Sequence, residues 1–385
     1  MRFQSRRRAL MTIGAAASCS VLGLPIPARG AARRLDGPFD RLVKSEGFTD
    51  DGPGLAVLVQ QQGQPAYMRC VGLATLEDRR PVTPQTMFEL ASVTKSITGT
   101  AVLILHEQRK LNVSDDVRKH IPELPKYDAK HPIRIRDLAQ QVSGLASYMD
   151  LEDVPSKTPD CWVNADYVGE FARQNVPLSF PTGEKYEYCN TNYMLLAVVI
   201  ERVSGKSYGA FLREAIFEPA GMKTAFVNEG PGSVPDANGR VDAIGYVRAD
   251  SQWQAQWGTP PARNETLLTC GDGAVWCSLE DMAAWDVALH SGKLLRSETA
   301  KMAIAPSRTR DGNQNAYGFG WSLYYNGPGQ LAGFGHSGGW GGFGTYYYFD
   351  IATRRTMVFL GNGRALDLDK FWYSLTALVD MHGLG

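Results

Sequence analysis

Phe88-Glu89-Leu90-Ala91-Ser92-Val93-Thr94-Lys95 is the stretch on which the reading of this chain turns. From Ser92 onward the apolar period changes: Ile97, Ala101, Ile104 and Leu105 recur at i, i+4, i+7 and i+8, which predicts a helix with one buried face. Residues three apart on a helix share a face, with Cβ atoms about 5–6 Å apart. A Ser and a Lys so placed can share a hydrogen bond, and the amine, once it has lost its proton, can activate the hydroxyl as a nucleophile. Alone the pattern is weak, because an ordinary helix start with a solvated Lys produces it too. Ser92–Lys95 is nevertheless the only S-x-x-K in the chain.

Strand patterns lie on either side of that helix. Leu55-Ala56-Val57-Leu58-Val59 and Ala66-Tyr67-Met68-Arg69-Cys70-Val71 flank Gln62-Gly63, which predicts a hairpin between Gly54 and Gly72. The region up to about residue 265 reads as mainly helical and loop-rich, with a clear helix from Tyr193 to Val203 stopped by Ser204-Gly205. Ser278 followed by Asp281 resembles a capping box opening a helix that ends at Gly292. Strand patterns return at Tyr317–Tyr324, Thr345–Phe349 and Thr356–Leu360, before an amphipathic helix through Leu368, Phe371, Trp372, Leu375, Leu378 and Val379. The expectation is an α+β fold: an antiparallel sheet flanked by helices and built from both chain ends, plus an all-helical lobe. The expected catalytic domain spans residues 33–385, its sheet lobe about 36–88 and 285–385, its helical lobe about 89–284.

Composition narrows the class. The 385 residues carry 40 basic and 40 acidic side chains and are 44% hydrophobic, which excludes a disordered or collagen-like chain. A net charge of zero offers no concentrated basic footprint for nucleic acid. The first 32 residues hold five arginines and no acid, and Ser5-Arg6-Arg7-Arg8-Ala9-Leu10 resembles a twin-arginine export signal. The uncharged stretch Ala9–Ala28 that follows is only mildly hydrophobic and is broken by Pro25 and Pro27, which opposes a membrane anchor. A lipoprotein reading through Cys19 lacks the usual bulky aliphatic residue before it. Removing residues 1–32 leaves 35 basic and 40 acidic residues, near −5, and a soluble protein expected in the periplasm or secreted. Five cysteines would remain (70, 161, 189, 270 and 277), an odd number, and twin-arginine export of folded chains implies a fold independent of disulfides. With no C-x-x-C, no H-E-x-x-H and no ligand spacing among the six histidines, neither metal nor cofactor is expected.

Two motifs are decoys. Gly335-His336-Ser337-Gly338-Gly339 matches G-x-S-x-G, but that elbow must open a helix, and Trp340-Gly341-Gly342 is a poor helix start. Gly205-Lys206-Ser207 ends like a phosphate-binding loop, yet the position of its first glycine is Ile200.

Two further elements join Ser92 and Lys95. Tyr188-Cys189-Asn190 precedes the helix at Tyr193; a phenol can relay protons and an amide can orient a substrate carbonyl. A second Y-x-N, Tyr324-Tyr325-Asn326, runs into Asn326-Gly327-Pro328-Gly329 and reads as a hairpin end. His336-Ser337-Gly338 lies on a glycine-rich strand, where backbone can approach a substrate closely.

In this order and at these separations, the three elements resemble those of the penicillin-recognising serine hydrolase superfamily. Within it, the likeness is to the class C β-lactamase, D-aminopeptidase and esterase branch. It extends over roughly residues 40 to 362 and is supported by Val142-Ser143-Gly144-Leu145, Asn190-Thr191-Asn192-Tyr193 and Gly271-Asp272-Gly273. The resemblance implies Ser92 as the acylated nucleophile, Lys95 as its general base and Tyr188 as the proton shuttle to the leaving group. It implies Asn190, His336 and Gly338 as substrate-binding positions, and the backbone N–H groups of Ser92 and Gly339 as the oxyanion hole. Two positions depart from it. The superfamily's β-lactamases and carboxypeptidases usually carry Lys where this chain has His336, and a His is charged only part of the time at neutral pH. Gln140-Gln141 stands where relatives often have Thr-His. The implied activity is an exported serine hydrolase acting through an acyl-enzyme on small esters, amides or D-amino-acid peptides. The alternatives are a true class C-type β-lactamase or DD-carboxypeptidase, and a penicillin-binding sensor or inactive scaffold.

Overall fold

Leu55–Gln61 (β1) is buried at six consecutive positions, so both faces of the strand must be covered. A computed structural model describes residues 29–151, 162–230, 233–235, 239–257, 267–363 and 368–382. Residues 1–28 of the expected export signal, Cys19 among them, lie outside the described residues, as does Cys161. β1 forms the expected hairpin with Gln64–Val71 (β2), and the C-terminal strands are Ser322–Gly327 (β3), Gln330–Trp340 (β4), Phe343–Asp350 (β5) and Arg355–Gly361 (β6). They make one sheet in the order β3-β4-β5-β6-β1-β2, antiparallel throughout, with β1 pairing the last strand so that Val57 faces Phe359 and Leu58 faces Val358.

The longer helices are α1 (Arg29–Ser45), α2 (Thr94–Glu107), α3 (Asn164–Gln174), α4 (Asn190–Ser204), α5 (Leu279–His290) and α6 (Leu368–Met381). Strand alternation divides the core. Leu55, Val57, Val59, Met357 and Phe359 pack with Leu35, Phe39 and Val43 of α1 and Phe371, Leu375 and Val379 of α6. The opposite face, through Ala56, Leu58, Val358 and Leu360, joins the larger core shared with Ile97, Ala101 and Leu105 of α2 and Tyr193–Ile200 of α4. Each such side chain contributes about 1.5–3 kcal/mol on burial, so α1 and α6 are held chiefly by this patterning.

Local chemistry sets the helix ends. Asp281 N–H donates to Ser278 Oγ (3.1 Å) while Ser278 N–H donates to Asp281 Oδ2 (3.1 Å), the expected capping box. Gly205, at φ +70°, terminates α4, as its position predicts. Two differences are instructive. The strand expected from Tyr317 begins at Ser322, because Gly320 at φ +79° first turns the chain against α2. The stretch expected to be all-helical also carries short strands: Phe88–Glu89, Val275–Cys277 and Phe226–Val227 pair, as do Gly245–Ala249 and Gln252–Trp257. Asp250 and Ser251, both at positive φ, make the latter hairpin's turn. The pairings of two or three residues among these are too short for a periodicity window to register. The G-x-S-x-G match lies inside β4, with His336 opposite Tyr347, and opens no helix.

Asn362, fully buried just past β6, ties the sheet end to its surroundings. Its Oδ1 accepts from Gly54 N–H (2.7 Å), and its Nδ2 donates to the carbonyls of Ala74 (3.0 Å) and Ile244 (2.9 Å). Asn362→Ala is expected to lower the unfolding free energy by roughly 3 kcal/mol, since it strands several buried backbone groups; urea denaturation followed by far-ultraviolet circular dichroism measures it.

Candidate active site

The turn carrying Ser92 is clamped before it is functional. Leu90 N–H donates to Val275 O (2.8 Å), and Leu90 O accepts from Thr345 Oγ1 (2.6 Å) on β5. Ala91 then adopts φ +48°, a left-handed conformation that costs a non-glycine residue about 1–2 kcal/mol. Ser92 follows on a single 3₁₀ turn, Ala91–Val93, that feeds directly into α2. Strand β4 closes the turn from the other side. A Cβ at Gly338 would lie 2.4 Å from Leu90 O and 3.0 Å from Ser92 N, so only glycine permits this approach. The Cβ position of Gly339 is open, and Gly339 lines the same cleft as Ser92.

Lys95, in the first turn of α2, is fully buried. Its Nζ donates to Ser92 Oγ (2.9 Å) and to the carbonyl oxygen of Asp272 (2.8 Å). The same Nζ lies 5.1 Å from the Tyr188 ring centroid and 5.8 Å from that of Tyr193. Tyr188 is 42% exposed, with its ring 6.2 Å from Tyr317 and 6.0 Å from His336. Ser92, Lys95, Tyr188 and His336, spread over 245 positions in sequence, therefore meet in one place.

His336 departs from its expected part. Its Nδ1 is 2.6 Å from Ser337 O, an acceptor only, so Nδ1 carries the proton and Nε2 accepts from the Tyr317 hydroxyl at 2.9 Å. Burial, and then the charge of Lys95, hold the imidazole down to about 3. His336 is thus neutral rather than partly charged. With 4% exposure and both nitrogens engaged, it has no free polar atom for direct substrate contact.

Asn190 opens α4, and its Oδ1 is buried without a partner among the described residues. It lines a cleft of about 530 Å³, open mouth included, together with Ser92, Gly339, Tyr148, Trp276 and Trp340. Glu89 and Asp272 also line it. Burial pushes Glu89 up to about 8, against the bond from Ala274 N–H and with the charge of Asp272 adding to the shift. Burial likewise raises Asp272, although Lys95 opposes it; its Oδ2 accepts from the Tyr148 hydroxyl (2.8 Å). Sequence reasoning picked out the stretches holding Glu89 and Asp272 without assigning them a place in the site, and missed Tyr148, Trp276 and Trp340, which carry no motif. Trp253 packs in its hairpin with Arg248 5.7 Å from its ring centroid and does not line the cleft. Among the described residues no group of three or more His, Cys, Asp or Glu side chains is placed to hold a metal.

These shifts set opposite pH dependences. Glu89 is raised from 4.5 to about 8, so the folded protein keeps a proton that the unfolded chain has lost; that stabilisation is complete below 4.5 and lost as pH rises through 8. His336 is depressed from 6.5 to about 3, so stability falls as pH drops from 6.5 towards 3. Glu89→Gln should gain on wild type by up to about 1.4 kcal/mol per pH unit between 4.5 and 8. Chemical denaturation of both proteins at a series of pH values checks the sign.

The sequence and the fold have relatives. A family model described as Beta-lactamase matches residues 39–379. A penicillin-binding protein of Bacillus subtilis is 32% identical over 312 residues, covering 80% of this chain and 67% of that protein. A D-aminopeptidase of Brucella anthropi is 30% identical over 284 residues, 74% of this chain; the match spans about half (51%) of that protein. Among solved structures, a D-amino acid amidase from Ochrobactrum anthropi, complexed with L-phenylalanine amide, superposes with a TM-score of 0.71 at 22% identity, covering 91% of this chain and 98% of that one. A β-lactamase/D-alanine carboxypeptidase from Yersinia pestis gives a TM-score of 0.72, also at 22% identity, covering 91% and 98%. The family match spans most of the chain and the fold agrees with it: this protein belongs to the beta-lactamase family of serine hydrolases.

Proposed function

We propose that Ser92 is the nucleophile of an exported hydrolase that forms an acyl-enzyme with small esters, amides or D-amino-acid peptides. The observation that carries this reading is the buried Lys95 Nζ held 2.9 Å from Oγ of Ser92, which lines the cleft. In its unprotonated form Lys95 takes the Ser92 hydroxyl proton as Oγ attacks the substrate carbonyl carbon. The tetrahedral oxyanion is held by the backbone N–H groups of Ser92 and Gly339, a kind of donor whose loss costs about 2.7–4 kcal/mol of barrier. Tyr188, beside Lys95, passes a proton to the leaving alcohol or amine, and the carbonyl re-forms as the acyl-enzyme. A water gives a proton to Tyr188 as it attacks the acyl carbon, and Ser92 Oγ departs taking back the proton held by Lys95, which releases the acid and restores the hydroxyl and the free amine. Asn190 orients the substrate carbonyl or amide, and Gly338 lets β4 run along the acyl group.

Electrostatics narrows the substrate class. His336 is neutral, and among the described residues no Lys or Arg lines the cleft, whereas Asp272 and Glu89, the latter protonated below about pH 8, do. Such a lining supports neutral or amine-bearing acyl groups over substrates recognised by a carboxylate, as in β-lactams and carboxypeptidase peptides. The reading places the mature enzyme, residues 33–385, in the periplasm or outside the cell after twin-arginine export.

Ser92→Ala in the mature protein is expected to lose at least about a thousandfold in hydrolysis of a p-nitrophenyl ester. Wild type should turn over a chromogenic cephalosporin poorly; fast cleavage would make it a β-lactamase despite His336, and full ester turnover in Ser92→Ala would end the acyl-enzyme reading. Gly338→Ala drives a methyl group towards Leu90 O and should lower kcat about a hundredfold, read in the same ester assay.

A further inference from the structure

Gln141 carries two local costs at once. It is fully buried at φ +62°, a conformation unfavourable for a residue with a Cβ, and its Nε2 has no partner among the described residues. Neither feature helps folding, and residues that break local rules in this way collect at functional sites. What Gln141 does hold is the segment bearing Tyr188. Its backbone carbonyl accepts from Glu187 N–H (3.0 Å), and its side-chain Oε1 accepts from Cys189 N–H (3.0 Å). The same Oε1 accepts from Asn192 Nδ2 in the first turn of α4. Both chain neighbours of Tyr188 are therefore tied to one residue, one through its main chain and one through its side chain.

Tyr188 has little else to hold it. It is 42% exposed, and its hydroxyl makes no hydrogen bond to the described residues; edge and tilted ring contacts with Tyr317 and His336 locate the ring. Gln141 itself is anchored: its N–H donates to Leu138 O (3.1 Å), and Tyr193 Oη donates to the adjoining Ala139 O (2.6 Å). We infer that Gln141 is a positioning residue, holding the Tyr188 backbone from both sides so that the phenol stays beside Lys95 and the scissile bond. The left-handed turn is what makes this possible, because it points the carbonyl and the side chain of a single residue at the same strand of chain. The inference rests on the proposed part of Tyr188 in proton transfer.

Gln141→Asn tests it with little risk to folding, since Asn tolerates φ > 0 better than Gln, while its shorter side chain withdraws the oxygen from Cys189 N–H. Gln141→Glu keeps an oxygen at the same reach. Ester turnover is measured per active site, counted by fluorophosphonate labelling of Ser92, so that misfolded molecules drop out. Gln141→Asn should lose about 10- to 100-fold in kcat with KM changed less than about threefold, as expected for a misplaced proton donor, and Gln141→Glu should recover most of that loss. Unchanged kcat per site in Gln141→Asn, or equal losses in both variants, overturns the inference. Tyr188→Phe separates it from its premise: full turnover there removes the proposed part of Tyr188 and the inference with it. Low turnover in Tyr188→Phe beside full turnover in Gln141→Asn removes the inference alone.

Discussion

A lysine amine with no exposure to water must find its partners inside the protein, and the site is arranged around that demand. Lys95 Nζ satisfies it with Ser92 Oγ and the Asp272 carbonyl, and with the ring faces of Tyr188 and Tyr193. Leaving such a group unpaired would cost several kcal/mol. Each partner comes from a different part of the chain: the turn before α2, the loop before Val275–Cys277, the segment before α4, and α4 itself. Satisfying one amine therefore brings four separate segments together. The clamps on Leu90 and the glycine at 338 fit the sheet against this assembly, so the same contacts that bury Lys95 also expose Ser92 to the cleft.

Burial is also the leading cause of the site's electrostatic character. It raises Glu89 to about 8 and Asp272 in the same direction, and it lowers His336 to about 3. Each shift suppresses a charge. Glu89 and His336 are then neutral near pH 7, and Lys95 is the amine bonded to Ser92. In such surroundings the field of two backbone N–H groups on a developing oxyanion is less screened than in water. The neutral His336–Tyr317 pair is buried, with both imidazole nitrogens engaged.

A penicillin-binding protein and a D-aminopeptidase match this chain in sequence, and a D-amino acid amidase shares its fold. Sheet, α2 and the nucleophile turn are set by packing and close approach, which tolerate little change. The cleft lining is drawn from several places at once: Tyr148 and Asp272 from loops, Trp276 from the short strand Val275–Cys277 and Trp340 from the end of β4, with Tyr148 and Trp276 also part of the core.

Much of this was legible from the chain alone. The hairpin at Gly54–Gly72, the strands at the far end, the capping box at Ser278 and the pairing of Ser92 with Lys95 on one helix face are local patterns, and local patterns survive in one dimension. The sequence by itself determined which residues could do acyl chemistry and that both chain ends build the sheet. The tertiary structure alone decided that His336 is neutral, because its charge depends on burial and on Tyr317, Ser337 and Lys95, which come together only on folding. It alone found a place for Gln141, whose importance lies in two hydrogen bonds to residues more than forty positions away. It alone lined the cleft with Trp276 and Trp340, since no periodicity records which segment faces which. Chemistry-bearing residue types are written in sequence; charge states and distances are properties of the packed molecule.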